Sequence, residues 1–148
     1  MKRQTQCVCV NLRRATRALT QAYDAALATA GVKVTQFSLL RAIERNEPAA
    51  ITTLADDLDL DRTTLARNLL PLQRDRLVTL AAGSDQRVTE VRLTAKGQKA
   101  IAAALPLWSE VQADIERKLG RDRVDQLREI ASAAQALSAP APGVARRR

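Results

Sequence analysis

The stretch ITTLADDLDLDRTTLARNLLPLQRDRLV, residues 51–78, decides the fold. Thr52 can cap a short helix carrying Leu54, Ala55 and Leu58, and Asp59-Leu60 then reads as a turn. Asp61 is placed to cap a second helix from Arg62 to about Arg76. In that helix Leu65, Leu69 and Leu72 recur at the spacing of one helical face, so they form the buried side. Thr63, Thr64 and Arg67 are thereby turned to the opposite face, with Arg62 and Asn68 at its borders. Pro71 lacks an N–H and is expected to loosen or kink the helix behind this polar half.

Downstream the apolar period changes from 3.6 to 2. Val78 and Leu80 alternate around Thr79, Ala82-Gly83-Ser84-Asp85-Gln86 makes a turn, and Val91 and Leu93 alternate with Glu90 and Arg92: a β-hairpin. A lone hairpin is marginal, so it must lie against neighbouring helices. Upstream, the apolar residues between about Thr5 and Ala30, from Val8 to Leu27, make one long helix ended by Gly31. Thr35 is expected to cap a second helix burying Phe37, Leu40 and Ile43 and stopped at Asn46-Glu47-Pro48. Beyond the hairpin Thr94 caps a long helix whose stripe, Ile101 to Leu119, runs past Pro106 to Gly120, and a last helix follows from about Asp122. The chain is thus mainly α with a small β-hairpin wing. Its long end helices carry more apolar surface than a 148-residue monomer easily covers, and a symmetric homodimer is the economical solution.

Charge supports a nucleic-acid partner. The chain has 24 Lys plus Arg against 16 Asp plus Glu, a net charge of +8. Residues 1–17 carry five bases and no acid, 18–51 balance at three each, and 52–61 hold four Asp and no base. Residues 62–99 carry eight bases against three acids, so positive charge is concentrated on the second helix of the helix-turn-helix and on the hairpin. Arg67 suits guanine and Asn68 suits adenine in a major groove, and the threonine hydroxyls reach bases or phosphates. For Thr63 and Thr64 the plain alternative is that of first-turn polar residues.

At this point the sequence resembles the MarR family of winged helix-turn-helix regulators over roughly Leu12 to Ile130. The resemblance rests on residues 51–78, on the wing tip Asp85-Gln86-Arg87 and on LTAKG at 93–97. It implies a dimer joined through its N- and C-terminal helices on a palindromic promoter site, with the reading helix in the major groove and a wing arginine in the minor groove. By position, Thr63, Thr64, Arg67 and Asn68 match the reading helix, and Arg87 matches the wing arginine with Asp85 placed to orient it. Arg62 and Lys96 complete the candidate DNA contacts. The sequence departs from the pattern at Arg76, where members usually have glycine, and at Leu80 and Ala82, where they often have an arginine and a second wing acid. The expected division of the single domain is 1–30 and 100–138 as dimerisation helices, 35–99 as the DNA-binding lobe, and 139–148 as a disordered basic tail.

Catalysis is not called for. With no histidine, a Ser-His-Asp triad, a Cys-His pair and a Cys₂His₂ zinc site are impossible, and no cofactor is expected. No apolar run reaches a membrane span and no signal-peptide core is present, so the cytoplasm is the expected compartment. Cys7 and Cys9, beside Lys2, Arg3, Arg13 and Arg14, are thiols in a basic setting and the candidates for a thiophilic ion or an oxidant. On one helix they would point about 200° apart, so a joint site requires an unwound segment or the partner chain. The family also implies a small aromatic effector in a cleft, for which Tyr23, Phe37 and Trp108 are the candidates. The sequence therefore reads as a DNA-binding regulator acting as a repressor. The alternatives are a winged-helix protein-interaction module or a non-specific nucleoid binder led by Arg146 to Arg148, and a cysteine redox enzyme, which the missing C-x-x-C disfavours.

Overall fold

A computed structural model describes residues 6–85 and 87–137. The expected basic tail at 139–148, together with Lys2, Arg3 and Gln86, lies outside the described residues. Two compact units divide the chain, Met1–Val111 and Gln112–Arg148.

In the first unit, helix α1 (Val8–Leu27) ends in a 3₁₀ turn, Ala28–Ala30, and Gly31 closes it at φ 72° with its N–H on the Ala28 carbonyl. The left-handed conformation there is one that glycine adopts without strain. Helix α2 (Val34–Arg45) buries Phe37, Leu40 and Ile43 as expected and stops at Asn46. Its cap is Lys33 rather than Thr35. The Gln36 side chain reaches back to the Lys33 N–H (2.9 Å), and the Asp24 carboxylate, ten residues upstream, accepts the Val34 N–H (2.8 Å). These acceptors take the first two N–H groups, Lys33 and Val34, so the helix starts before the threonine.

Strand β1 (Ala49–Ala50) was not foreseen. It pairs antiparallel with β3 (Thr89–Leu93), placing Ala49 opposite Val91 and Ala50 opposite Glu90, and β3 pairs on its other side with β2 (Val78–Ala82). The sheet order is β1-β3-β2, and Val78 faces Leu93 as Leu80 faces Val91. Because β1 delivers the chain directly into helix α3 (Ile51–Asp57), Ala50 rather than Thr52 stands at the N-cap.

The turn after α3 has the hydrogen-bond pattern of a Schellman motif. The Leu60 N–H bonds the Ala55 carbonyl (2.8 Å) and the Asp59 N–H the Asp56 carbonyl (3.2 Å), with Asp59 left-handed at φ 51°. Helix α4 (Arg62–Arg74) follows and runs continuously through Pro71. It closes with the same motif: Leu77 N–H to Leu72 carbonyl (2.8 Å), Arg76 N–H to Gln73 carbonyl (3.0 Å), and Arg76 at φ 58°. Arg76 therefore occupies the position where glycine is favoured, and the helix ends at Arg74 rather than continuing to Arg76. Leu27, Leu40, Ile43, Leu54, Leu65, Leu69, Leu72 and Val91 are the largest fully buried side chains, so the helix-turn-helix and the sheet share one core.

Helix α5 (Ala95–Leu119) passes through Pro106 and contributes Ile101 and Ala104 to that core. In the second unit, α5 ends at Leu119 and α6 (Arg121–Ala136) begins after Gly120. This unit is held on its surface by ion pairs of Asp114 with Arg117 (3.0 Å) and Lys118 (2.6 Å), and of Arg128 with Asp125 (2.7 Å) and Glu116 (3.3 Å).

Candidate nucleic-acid interface

Helix α4 presents the expected division of faces. Leu65, Leu69 and Leu72 are buried, whereas Arg62, Thr63, Arg67 and Asn68 are exposed. The Asp61 carboxylate accepts both the Thr64 N–H (2.9 Å) and the Thr64 hydroxyl (2.6 Å), which hold its pKa below the usual carboxylate range. Thr64 is half-buried and its one hydroxyl proton is committed to the cap. For this residue, capping is the role its geometry describes, and Thr63 keeps the exposed position.

The wing carries Asp85 and Arg87, both exposed. Asp85 orients the main chain: its carboxylate accepts the Arg87 N–H (3.0 Å) and its carbonyl the Val88 N–H (2.8 Å). The orienting contact is an Asx-type turn, carboxylate to main-chain N–H, that fixes where the arginine leaves the backbone. At the strand above, Arg92 pairs with Glu90 (3.1 Å).

Wing and α4 are joined through Thr94 and Lys96. The Thr94 hydroxyl donates to the Arg76 carbonyl (2.7 Å) and accepts the Gly97 N–H (3.0 Å), while the Thr94 N–H bonds the Leu77 carbonyl (3.1 Å). Lys96 donates to the Asp75 carbonyl (2.8 Å), so its ammonium is tied to the C-terminal end of α4. From the far side, the Glu47 carboxylate accepts the Leu93 N–H (3.1 Å).

Clefts flank these elements. A groove of about 350 Å³ between the start of α2 and the side of α4 is lined by Lys33, Thr35, Gln36, Arg67, Asn68 and Arg74, over Leu39 and Pro71. Lys33, Thr35, Gln36 and Arg74 were not among the sequence candidates. A second cleft, about 360 Å³, has an apolar wall of Phe37, Leu58, Leu105 and Trp108 and a polar edge of Ser38, Arg41 and Arg45. Phe37 and Trp108 meet there, ring centroids 6.2 Å apart at 38°. Tyr23, the third aromatic candidate, is half-buried on α1 and does not line this cleft. Arg41 pairs with Glu44, and Arg45 with Asp57 (3.0 Å).

Cys7 and Cys9 are both exposed and neither is in a disulfide. Cys7 is the N-cap of α1 in extended conformation (φ −69°, ψ 114°), so it stands outside the helix that holds Cys9. Among the described residues no group of three His, Cys, Asp or Glu side chains could hold a metal ion, and no helix is long and apolar enough to cross a membrane.

No family model and no curated protein matches the chain. Solved structures do. The Mycobacterium tuberculosis transcriptional regulator MosR in complex with DNA is 41% identical, with a TM-score of 0.80 over 90% of this chain and 100% of that one. A second MosR structure is 42% identical, TM-score 0.74, covering 89% and 96%. A MarR-family regulator from Rhodococcus sp. RHA1 is 19% identical with a TM-score of 0.69, covering 88% and 96%, a likeness of fold alone.

Proposed function

The chain belongs to the MarR family of winged helix-turn-helix transcriptional regulators, and from that premise we propose that it acts in the cytoplasm as a homodimeric repressor on a palindromic promoter site. The observation that carries this reading is the exposed polar face of α4, Arg62, Thr63, Arg67 and Asn68, opposite the buried Leu65, Leu69 and Leu72. Arg67 reads guanine and Asn68 adenine in the major groove, and Arg87, launched by the Asp85 turn, enters the minor groove. The DNA complex of the 41% identical MosR supports a DNA partner. Dimerisation would cover the apolar residues left on the end helices, Val8, Val10 and Leu12 on α1 and Leu127, Ile130 and Leu137 toward the C-terminus, which are 38–87% exposed in the single chain.

Release from DNA is assigned to a signal. The Phe37–Trp108 cleft has the mixed lining that a small aromatic molecule needs. Cys7 and Cys9 are the site for an oxidant or a thiophilic ion, and the extended backbone at Cys7 removes the constraint that both thiols sit on one helix. Oxidation would form one S–S bond, with two protons and two electrons passing to a peroxide that is reduced to water or alcohol.

The experiment is a titration of the reduced protein on the DNA upstream of its own gene, against excess random competitor. Saturable binding that survives competitor, and whose preference is lost in Arg67→Ala, supports the reading. Binding abolished by competitor refutes it. Repeating the titration with peroxide, cuprous ion or a phenol, on wild type and on the double Cys→Ser variant, identifies the signal.

A further inference from the structure

We propose that the groove between α2 and α4 is a clamp for the DNA phosphate backbone, with Lys33 and Arg74 as its cationic jaws beside the reading face. The proposal rests on α4 reading DNA, and extends the contact surface to a second helix. Three cations line the groove, Lys33, Arg67 and Arg74, and no carboxylate does. Asp24, near the start of α2, is not on the groove wall and accepts the Val34 N–H with one oxygen, and Asp75 reaches only the Nε of Arg74, whose side chain stays 76% exposed. The neutral lining groups are donors as well. Thr35 offers an exposed hydroxyl, and Gln36, whose carbonyl oxygen accepts the Lys33 N–H, is left with its NH₂. A lining of donors and cations calls for a ligand of acceptors and negative charge, and a phosphodiester strand offers one such charge every 3.4 Å.

Lys33 carries a second argument. It stands at the N-cap of α2, where the helix dipole disfavours a cation, and the Lys33 and Val34 N–H groups are accepted by Gln36 and Asp24. Among the described residues the Lys33 ammonium is in no ion pair, which leaves it open to an anion outside the chain. Because Arg67 and Asn68 belong both to the reading face and to the groove wall, a strand bordering the major groove at α4 continues directly into the groove.

The test measures binding of the full chain by fluorescence anisotropy over a salt series, on an unselected 25-base-pair duplex pool and on a duplex that the wild type selects from that pool. Lys33→Gln and Arg74→Gln are each expected to lower the slope of log K against log salt by about 0.9 per bound protomer, about a fivefold loss at 0.15 M relative to 1 M, equally on both DNAs. The melting temperature of Lys33→Gln should hold or rise, since the dipole penalty is removed. Wild-type slope and affinity in both variants would overturn the clamp and leave the groove to a partner other than DNA; so would a loss of sequence preference with an unchanged slope. Failure of the parent reading looks different: no consensus is selected, or Arg67→Ala keeps full preference, and the slopes on the unselected pool still decide the clamp.

Discussion

Gly97→Ala is the most stringent test of the junction between reading helix and wing. A Cβ built at Gly97 falls 2.1 Å from the Leu77 carbonyl oxygen, 3.1 Å from its carbon and 3.3 Å from Leu93 Cδ2. Real Cβ contacts essentially never fall under 3.0 Å, so the backbone must open by about 0.9 Å. The obstructing atom is main-chain oxygen, and it already accepts the Thr94 N–H. It cannot swing aside as a flexible side chain would. In an unobstructed helix the change would stabilise, since alanine is favoured over glycine by about 1 kcal/mol. Overpacking a tight contact costs about 1–3 kcal/mol, more where backbone must move, so we expect a net loss of up to about 2 kcal/mol. For a chain of this size that corresponds to a fall of roughly 3–8 °C in melting temperature. DNA affinity should fall further than stability, because the displacement separates β3 and α5 from the end of α4. Thermal unfolding followed by circular dichroism, with Ala102→Gly on the exposed side of the same helix as the propensity control, reads the effect. A Gly97→Ala melting temperature equal to or above wild type would refute the contact.

Arg76→Gly should do the opposite. The left-handed φ of 58° costs an L-residue about 1–2 kcal/mol, of which glycine returns part as unfolded-state entropy; a net gain of roughly 0.5–1 kcal/mol and about 2 °C is expected by thermal unfolding. Arg67→Ala should lose about 1–3 kcal/mol of discrimination between selected and unselected DNA by competition titration, whereas Arg87→Ala should lose affinity chiefly on sites with a narrow minor groove. The Asp61 and Asp114 carboxyls are held below their ordinary values by hydrogen bonds from Thr64 and from Lys118 and Arg117 respectively. Their contribution to stability is complete above the unfolded-state value near pH 4 and is lost as pH falls through the lower folded values. Urea midpoints measured from pH 6 down to pH 2 should therefore fall less steeply in Asp61→Asn than in wild type.

How far the sequence reached depended on the range of the interaction. The cap at Asp61, the buried leucines of α4 and the Thr94 cap of α5 are set by residues within a helical turn of one another, and each is found where periodicity and capping rules place it. Strand β1 was invisible because two alanines have no strand signature and take their conformation from pairing with residues some forty positions away. The threonine caps at 35 and 52 failed for a related reason: Asp24 and the β1–β3 pairing supply what a local rule assigns to the nearest hydroxyl. Asp85 and Arg87 were legible as a pair, but spacing does not say whether a carboxylate meets a guanidinium or an amide. Lys33 and Arg74 were missed because Lys33 sits in a segment of balanced charge, and only the folded chain places it on one groove with Arg74.

The departure from glycine at Arg76 illustrates how the fold tolerates a locally unfavourable residue next to its reading helix. The Schellman bonds at residues 72–77 need a left-handed backbone at position 76 whatever its side chain. Further interactions hold that corner: the Thr94 hydroxyl on the Arg76 and Leu77 carbonyls, the Thr94 N–H on the Leu77 carbonyl, the Lys96 ammonium on the Asp75 carbonyl, and Gly97 in contact with Leu77. Together they over-determine a conformation that an arginine would otherwise resist. They also fix the end of α4 to the base of the wing, so in the proposed complex Arg67 and Arg87 would approach DNA from one frame. Loosening the corner, as in Gly97→Ala, should therefore damage sequence preference beyond its effect on folding. Relaxing the backbone strain, as in Arg76→Gly, should raise stability and leave the reading geometry intact.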